Sequence, residues 1–175
     1  SHLSLALIVL SITFWFILEN LKIEKFKNKI NNKFLNLFLI IIFFQIILGA
    51  LLAGLNGGLL YNSWPDMNGN FLPNDISNLD LIKGNLFNNA SVVQFYHRIC
   101  AYILIIFLLI LNYFLFKEKI KTKSIIILNF AIIFQIILGI ITLLTGVKIY
   151  YASLHQLGSV FVLTSFLFIY YKNFS

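Results

Sequence analysis

Three histidines stand in an otherwise apolar chain, His2, His97 and His155, and they are the residues best able to bind a metal or move a proton. Each lies inside an apolar run, where an ionisable side chain is expensive and points to a function. Counted from Val92 and from Tyr151, His97 is about five residues in and His155 about four, roughly 6 to 8 Å along a helix. Two imidazoles at equal depth on neighbouring helices can hold one iron between them, as in bis-histidine b-type haem. A flat macrocycle also needs small side chains one turn along the ligand helix. Cys100 and Ala101 stand three and four residues after His97, and Gly158 and Ser159 stand at the same offsets from His155. Such residues would equally permit close helix packing, but their coincidence with histidine on both helices favours haem over satisfied structural histidines. Zinc is disfavoured, because no cluster of further Cys, His or carboxylate ligands lies beside the pair.

The elements that must position these histidines are membrane helices. Of the 175 residues 60% are hydrophobic and 11% charged, and the mean hydropathy is +0.92. Soluble domains run about 45–50% apolar and about 25% charged, so this composition belongs in lipid and excludes a soluble globular domain, a disordered chain and a disulfide scaffold. The single cysteine, Cys100, can form neither an intramolecular disulfide nor a zinc cluster. Five stretches approach the roughly 20 apolar residues that a spanning helix needs: 2–18, which is short, 34–55, 92–116, 124–146 and 150–171. Their continuous apolarity, without period-two alternation, predicts helices rather than barrel strands. The first stretch lacks a basic leader and a cleavage site and so does not read as a signal peptide. The expected fold is an all-α integral membrane protein, a transmembrane helix bundle with five spans.

The charges fix an expected orientation. Lys22, Lys25, Lys27, Lys29 and Lys33 fill one loop and Lys117, Lys119, Lys121 and Lys123 another, which places both inside. The segment 56–91, with Asp66, Asp75, Asp80 and only Lys83, and the turn at 147–149, with only Lys148, read as outside. The N-terminus is then outside and the C-terminus inside, and the +7 formal charge is a topology signal rather than a sign of nucleic-acid binding. The loop 56–91 holds turn-forming clusters at 56–58, 64–69 and 72–75, and is an ordered cap or a connector. A loop this long is more often functional than idle.

Phe44-Gln45-Ile46-Ile47-Leu48-Gly49 recurs letter for letter as Phe134-Gln135-Ile136-Ile137-Leu138-Gly139, ninety positions later. Each copy lies in a span that precedes a histidine-bearing span, so the repeating unit is a pair of helices. Two pairs account for four spans. Residues 34–175 form a four-helix haem-binding half, and residues 1–33 form the last helix of a preceding half plus the inner basic loop. His2 is then an orphan whose partner belonged to a lost helix, and the lack of an initiator Met agrees with a truncated sequence. Gln45 and Gln135 are expected to make interhelical hydrogen bonds rather than to ligate, and Ala50 and Gly54 to let helices approach. Arg98, at the rim beside His97, has two open readings, a haem propionate or a lipid phosphate.

Taken together, Gln45 to Leu60, Tyr61-Asn62-Ser63-Trp64-Pro65-Asp66-Met67-Asn68-Gly69, Val93-Gln94-Phe95-Tyr96-His97-Arg98 and Leu154-His155-Gln156 closely resemble the C-terminal part of the heme A synthase family, of the alphaproteobacterial and mitochondrial type. The resemblance covers essentially the whole chain. It implies an eight-helix protein of two four-helix halves, with His97 and His155 as axial ligands of a haem b cofactor. It implies that His2 is a candidate ligand of substrate haem O, whose methyl group is oxidised to the formyl group of haem A for cytochrome oxidase. An external, ferredoxin-like electron donor follows from that chemistry, with membrane lipid, heme O synthase and self-association as candidate partners. The family's Glu-x-x-His-Arg motif is absent. Its counterpart is Gln94-x-x-His97-Arg98, and a neutral amide cannot do a carboxylate's electrostatic or proton-transfer work, which suits a cofactor half. The cysteine pair found in outer loops of some bacterial members is absent too, so their thiol step does not carry over. Two other readings compete: a bis-histidine cytochrome b subunit that only passes electrons, and a transporter or structural bundle. The outer-loop motif and His2 argue against the first, and polar residues gathered at one rim rather than at the midplane argue against the second. These 175 residues alone are expected not to convert haem O, and extraction of haem A from cells expressing only this chain would refute that.

Overall fold

The computed structural model describes residues 2–77, 88–120 and 122–174, with side chains from Leu5 onward. It is all-helical: α1 (His2–Asn20), α2 (Asn32–Gly54), a short 3-10 turn (Gly57–Leu59), α3 (Ala90–Lys117), α4 (Ser124–Leu144) and α5 (Ile149–Asn173). Among the described residues, pairing between extended segments is limited to an isolated bridge between Met67 and Asn70. Four helices, α2 to α5, are long and apolar enough to cross a membrane. The described apolar part of α1, Leu5–Asn20, is shorter. The helix ends fall within two residues of the expected spans. Asn31 caps α2 by accepting from the Lys33 amide, and Asn89 caps α3 by accepting from the amides of Ser91 and Val92; each satisfies amides that have no partner within the helix. The turn from α4 to α5 is made by Gly146 at φ 66° and Val147 at φ 58°.

Exposed apolar side chains are what lipid requires of such helices. On α4, Ile126, Phe130, Ile133 and Ile137 follow one another at helical spacing along an outward face, with Ile126 67% and Phe130 60% exposed. Packing is concentrated toward one end, the one that carries the lysine-rich loops. Leu35, Phe38 and Ile42 of α2 meet Leu104, Leu108, Leu111 and Leu115 of α3 there. Leu128, Ala131 and Ile132 of α4 and Val162, Leu163 and Phe166 of α5 complete the same core. Each helix contributes residues three or four apart, a single stripe. Asn112 and Asn129 exchange side-chain hydrogen bonds of 2.9 and 3.0 Å between α3 and α4, a tie that in lipid has no competing water.

The loop between α1 and α2 belongs to this packed end rather than hanging free. Phe26 and Ile30 are buried, and Leu7 of α1 joins them in the core. The Phe26 amide donates to the Lys172 carbonyl at 2.7 Å. Asn173, 1% exposed, accepts from the Ile30 amide at 2.7 Å and donates to the Ile30 carbonyl at 3.0 Å. Trp15 of α1 sits edge-on to Tyr171 and Phe174. Lys25 donates to the Tyr171 carbonyl at 2.8 Å and stands 3.1 Å from the centre of its ring; the burial this entails lowers the Lys25 pKa. Residues 5–33 therefore share one core with the four longer helices. Asn173→Leu leaves the Ile30 amide and carbonyl buried and unpaired, and is expected to cost about 2–4 kcal/mol, read as a lowered midpoint of thermal unfolding in detergent.

Candidate functional site

Toward the opposite end the same four helices carry small residues where the packed end carries leucine and phenylalanine: Gly49, Ala50 and Ala53 on α2, Ala101 on α3, Gly139 on α4, Ala152 and Ser153 on α5. The space they leave is one cavity of about 870 Å³. His97 and His155 both line it, their ring centres 6.5 Å apart and their planes at 77°.

Each histidine is seated by the repeated segment of the helix before it. A methyl group at Gly49 would lie 3.2 Å from the His97 Cε1, and one at Gly139 would lie 2.9 Å from the His155 Cε1, so in both copies the glycine is the floor of an imidazole seat. The glutamine one turn earlier reaches the same histidine. The Gln45 side-chain amide lies 3.3 Å from His97 Nε2. In the second copy the His155 Nδ1 donates to the main-chain carbonyl of Gln135 at 3.1 Å, and the Gln135 side chain donates to the main-chain carbonyl of His155 at 2.7 Å. Both glutamines thus make the interhelical bonds expected of them. Gly158 gives the Gln135 side chain its space, since a Cβ there would overlap the Gln135 Oε1. Cys100 turns to α2, its Sγ 3.9 Å from the Ile41 carbonyl. Of the four small residues after the histidines, then, Ala101 and Ser159 line the cavity. The expectation for Ala50 and Gly54 does not hold: a Cβ on Gly54 would meet nothing within 4 Å, and Ala50 faces the cavity. Ala50 leaves room at the cavity, and Gly54 is exposed beside open space.

The rim is closed by the loop after α2. Arg98 donates from Nη1 to the Asp66 carbonyl at 2.7 Å and from Nη2 to the Tyr61 carbonyl at 3.0 Å, and Gln94 donates to that same Tyr61 carbonyl at 3.0 Å. Arg98 therefore holds the outer loop, an arrangement that neither of its sequence readings contained. The Tyr61 hydroxyl and the Ser91 hydroxyl, the latter at 2.6 Å, both donate to the Asp75 carboxylate. Burial opposes charge on Asp75, but the Ser91 and Tyr61 hydroxyls outweigh it and hold the pKa below its ordinary value. Burial, followed by the adjacent Asp75 carboxylate, raises that of Tyr61. The Gly69 amide and the Ser63 hydroxyl lower that of Asp66. Residues 56–77 are thus an ordered cap. Asp80 and Lys83 lie outside the described residues, as does the His2 side chain, although His2 opens α1. Sequence reasoning noted the shared glycines without seeing them as imidazole seats, and it missed Tyr61, Asp75 and Ser91. The recurrence of Gly at the same offset from Gln in both copies was the available signal.

Five buried side-chain atoms have no hydrogen-bond partner among the described residues: Gln45 Oε1, Gln94 Oε1, His97 Nδ1, Arg98 Nε and Gln135 Oε1. All five belong to residues that line the cavity. Unpaired buried polar atoms cost about 1–3 kcal/mol each, and their concentration on residues that line one apolar space is a feature of ligand sites. A haem implied by the sequence fits these residues. His97 and His155, their ring centres 6.5 Å apart, would hold the haem iron between them. The cavity also lies within the upper part of the usual range for small-molecule sites, about 300–1,000 Å³.

A membrane helix bundle with a paired-histidine pocket is the class that this fold and site define. Residues 1–167 match the model of a family described as cytochrome oxidase assembly protein, and the chain belongs to that family. It is similar to the heme A synthase of Pelagibacter ubique (strain HTCC1062), 58% identical over 172 residues that make up 98% of this chain and 51% of the relative. The heme A synthases of Wolbachia sp. subsp. Brugia malayi and of Wolbachia pipientis wMel are 40% and 38% identical over 65% and 70% of this chain, and 32% and 34% of their own lengths. The chain thus spans about half the length of the first of these relatives and about a third of the other two. No solved structure matches it.

Asp75 generates a pH prediction. A carboxylate whose folded pKa is depressed stabilises the fold above its unfolded value, about 3.9, and that contribution is lost as pH falls through the lower folded value. Proteolytic nicking within residues 61–77 is expected to rise in the wild type below that pH. In Asp75→Asn it is already raised at neutral pH and changes little on acidification, as mass spectrometry of the fragments would read out.

Proposed function

We propose that this chain is the cofactor-binding part of a heme A synthase, and that His97 and His155 hold a haem b in the cavity between α2–α3 and α4–α5. The observation that carries this reading is the pair of imidazoles 6.5 Å apart in a cavity whose lining residues carry five unpaired buried polar atoms. When bound, haem supplies a one-electron redox centre. The residues supply everything else. The Gly49 and Gly139 seats and their glutamines orient the rings, the small residues between the helices exclude side chains from the macrocycle's place, and Arg98 offers its unpaired Nε to a carboxylate at the rim. The same pocket would serve a cytochrome that only passes electrons, but the similarity to proteins named heme A synthase over 98% of the chain favours the synthase.

In this reading the whole protein oxidises the methyl group of haem O to the formyl group of haem A, with electrons from an external donor, and His2 is a candidate ligand of the substrate haem. Gln94 stands where the resemblance would put an acid in the substrate half, and its amide is spent on the Tyr61 carbonyl. That is the role of a scaffold residue rather than a proton donor. The lysine-rich end faces the cytoplasm or matrix and the histidine end the opposite side, so the cavity opens toward the outer leaflet.

The experiment is a reduced-minus-oxidised absorption spectrum of the detergent-purified chain beside His97→Ala and His155→Ala. The expected outcome is a low-spin b-type spectrum in the wild type that is abolished in both variants. A folded wild-type protein with no haem would remove the basis for the reading.

A further inference from the structure

The repeat presents its two histidines in different states. On the second copy the partner of His155 Nδ1 is a main-chain carbonyl, which can only accept. The proton is therefore on Nδ1, and Nε2 is a bare lone pair, the form in which imidazole binds a metal, with the orientation that outer hydrogen bonds impose on such ligands. On the first copy the partner of His97 is a side-chain amide, which can donate or accept, and it faces Nε2 itself at 3.3 Å. His97 Nδ1 is buried with no partner, as is Gln45 Oε1. Whichever tautomer His97 holds, its Nε2 is already engaged. The seats differ in the same sense, since a Cβ added at Gly139 would lie 2.9 Å from the His155 Cε1 and one at Gly49 3.2 Å from that of His97.

We infer that the two ligands act in order, His155 as the preformed anchor and His97 as the closing ligand, with Gln45 as the gate that must release His97 Nε2 before the second axial bond forms. The inference rests on the haem b reading and concerns this chain's residues alone. Gln45 is a positioning residue that delays ligation until an incoming metal centre outcompetes one neutral hydrogen bond. Gln135 has no such part, because its side chain holds a helix backbone and its carbonyl holds a nitrogen that does not ligate.

The test adds ferric protoporphyrin IX to the detergent-purified, haem-free chain and follows the spin state by stopped-flow absorption. The expected course is a five-coordinate, high-spin species that converts to a six-coordinate, low-spin one, with the conversion about fivefold faster in Gln45→Leu, the size expected from removing one neutral hydrogen bond. His97→Ala is expected to keep the porphyrin as a high-spin, five-coordinate complex, and His155→Ala to bind it at least tenfold more weakly than His97→Ala. Low-spin formation in one step, a slower conversion in Gln45→Leu, or equal losses in the two histidine variants would each overturn the order of ligation while leaving the haem b reading standing. A wild-type chain that takes up no porphyrin would overturn both.

Discussion

A polar atom inside a bilayer must find its partner within the protein, because the hydrocarbon offers none. The architecture follows from how this chain meets that demand at one end and leaves it unmet at the other. At the lysine-rich end the buried polar side chains among the described residues are partnered: Asn112 with Asn129, Asn173 with Ile30, Lys25 with the Tyr171 carbonyl. At the histidine end the accounting stops short, and the five side-chain atoms left over among the described residues all belong to residues that line one space. Stability is concentrated in the first region so that the second can remain incomplete without the bundle collapsing into it.

The same helices serve both purposes by changing side-chain size along their length. On α2 the buried stripe runs Leu35, Phe38, Ile42 and then gives way to Gly49, Ala50 and Ala53 around the cavity. On α5 the order is reversed, Ala152 and Ser153 first and Val162, Leu163 and Phe166 later. Because lipid tails are as apolar as leucine, helices in a membrane associate through close fit and hydrogen bonds. Withdrawing the fit from one half of each helix leaves the cavity between them.

Much of this was legible in the sequence because its signals are long or repeated. Span positions came from runs of 17 to 25 apolar residues, and the equal depth of His97 and His155 came from counting along helices whose rise is fixed. The Gln–Gly repeat pointed to glutamines that bridge helices, and they do. What was not legible depends on which way a side chain turns. Cys100 and Gly158 satisfy the rule for small neighbours of a ligand, yet one faces α2 and the other accommodates Gln135. Nor does a sequence reveal that two identical hexapeptides meet their imidazoles differently, one through the glutamine side chain and one through its main-chain carbonyl. Arg98 eluded the reading for a further reason: its acceptors are carbonyl oxygens, which carry no residue identity at all.

The clasp between Ile30 and Asn173 joins residues 143 positions apart. Contacts of such separation form late, since the intervening chain must be in place first. The loop between α1 and α2 therefore leaves the ribosome long before its partner exists, and Phe26 waits for the Lys172 carbonyl in the same way. Insertion of α5 is then more than the addition of one span. It is the event that locks the loop between α1 and α2, and a chain stalled before α5 would hold neither His155 nor that loop in its settled place.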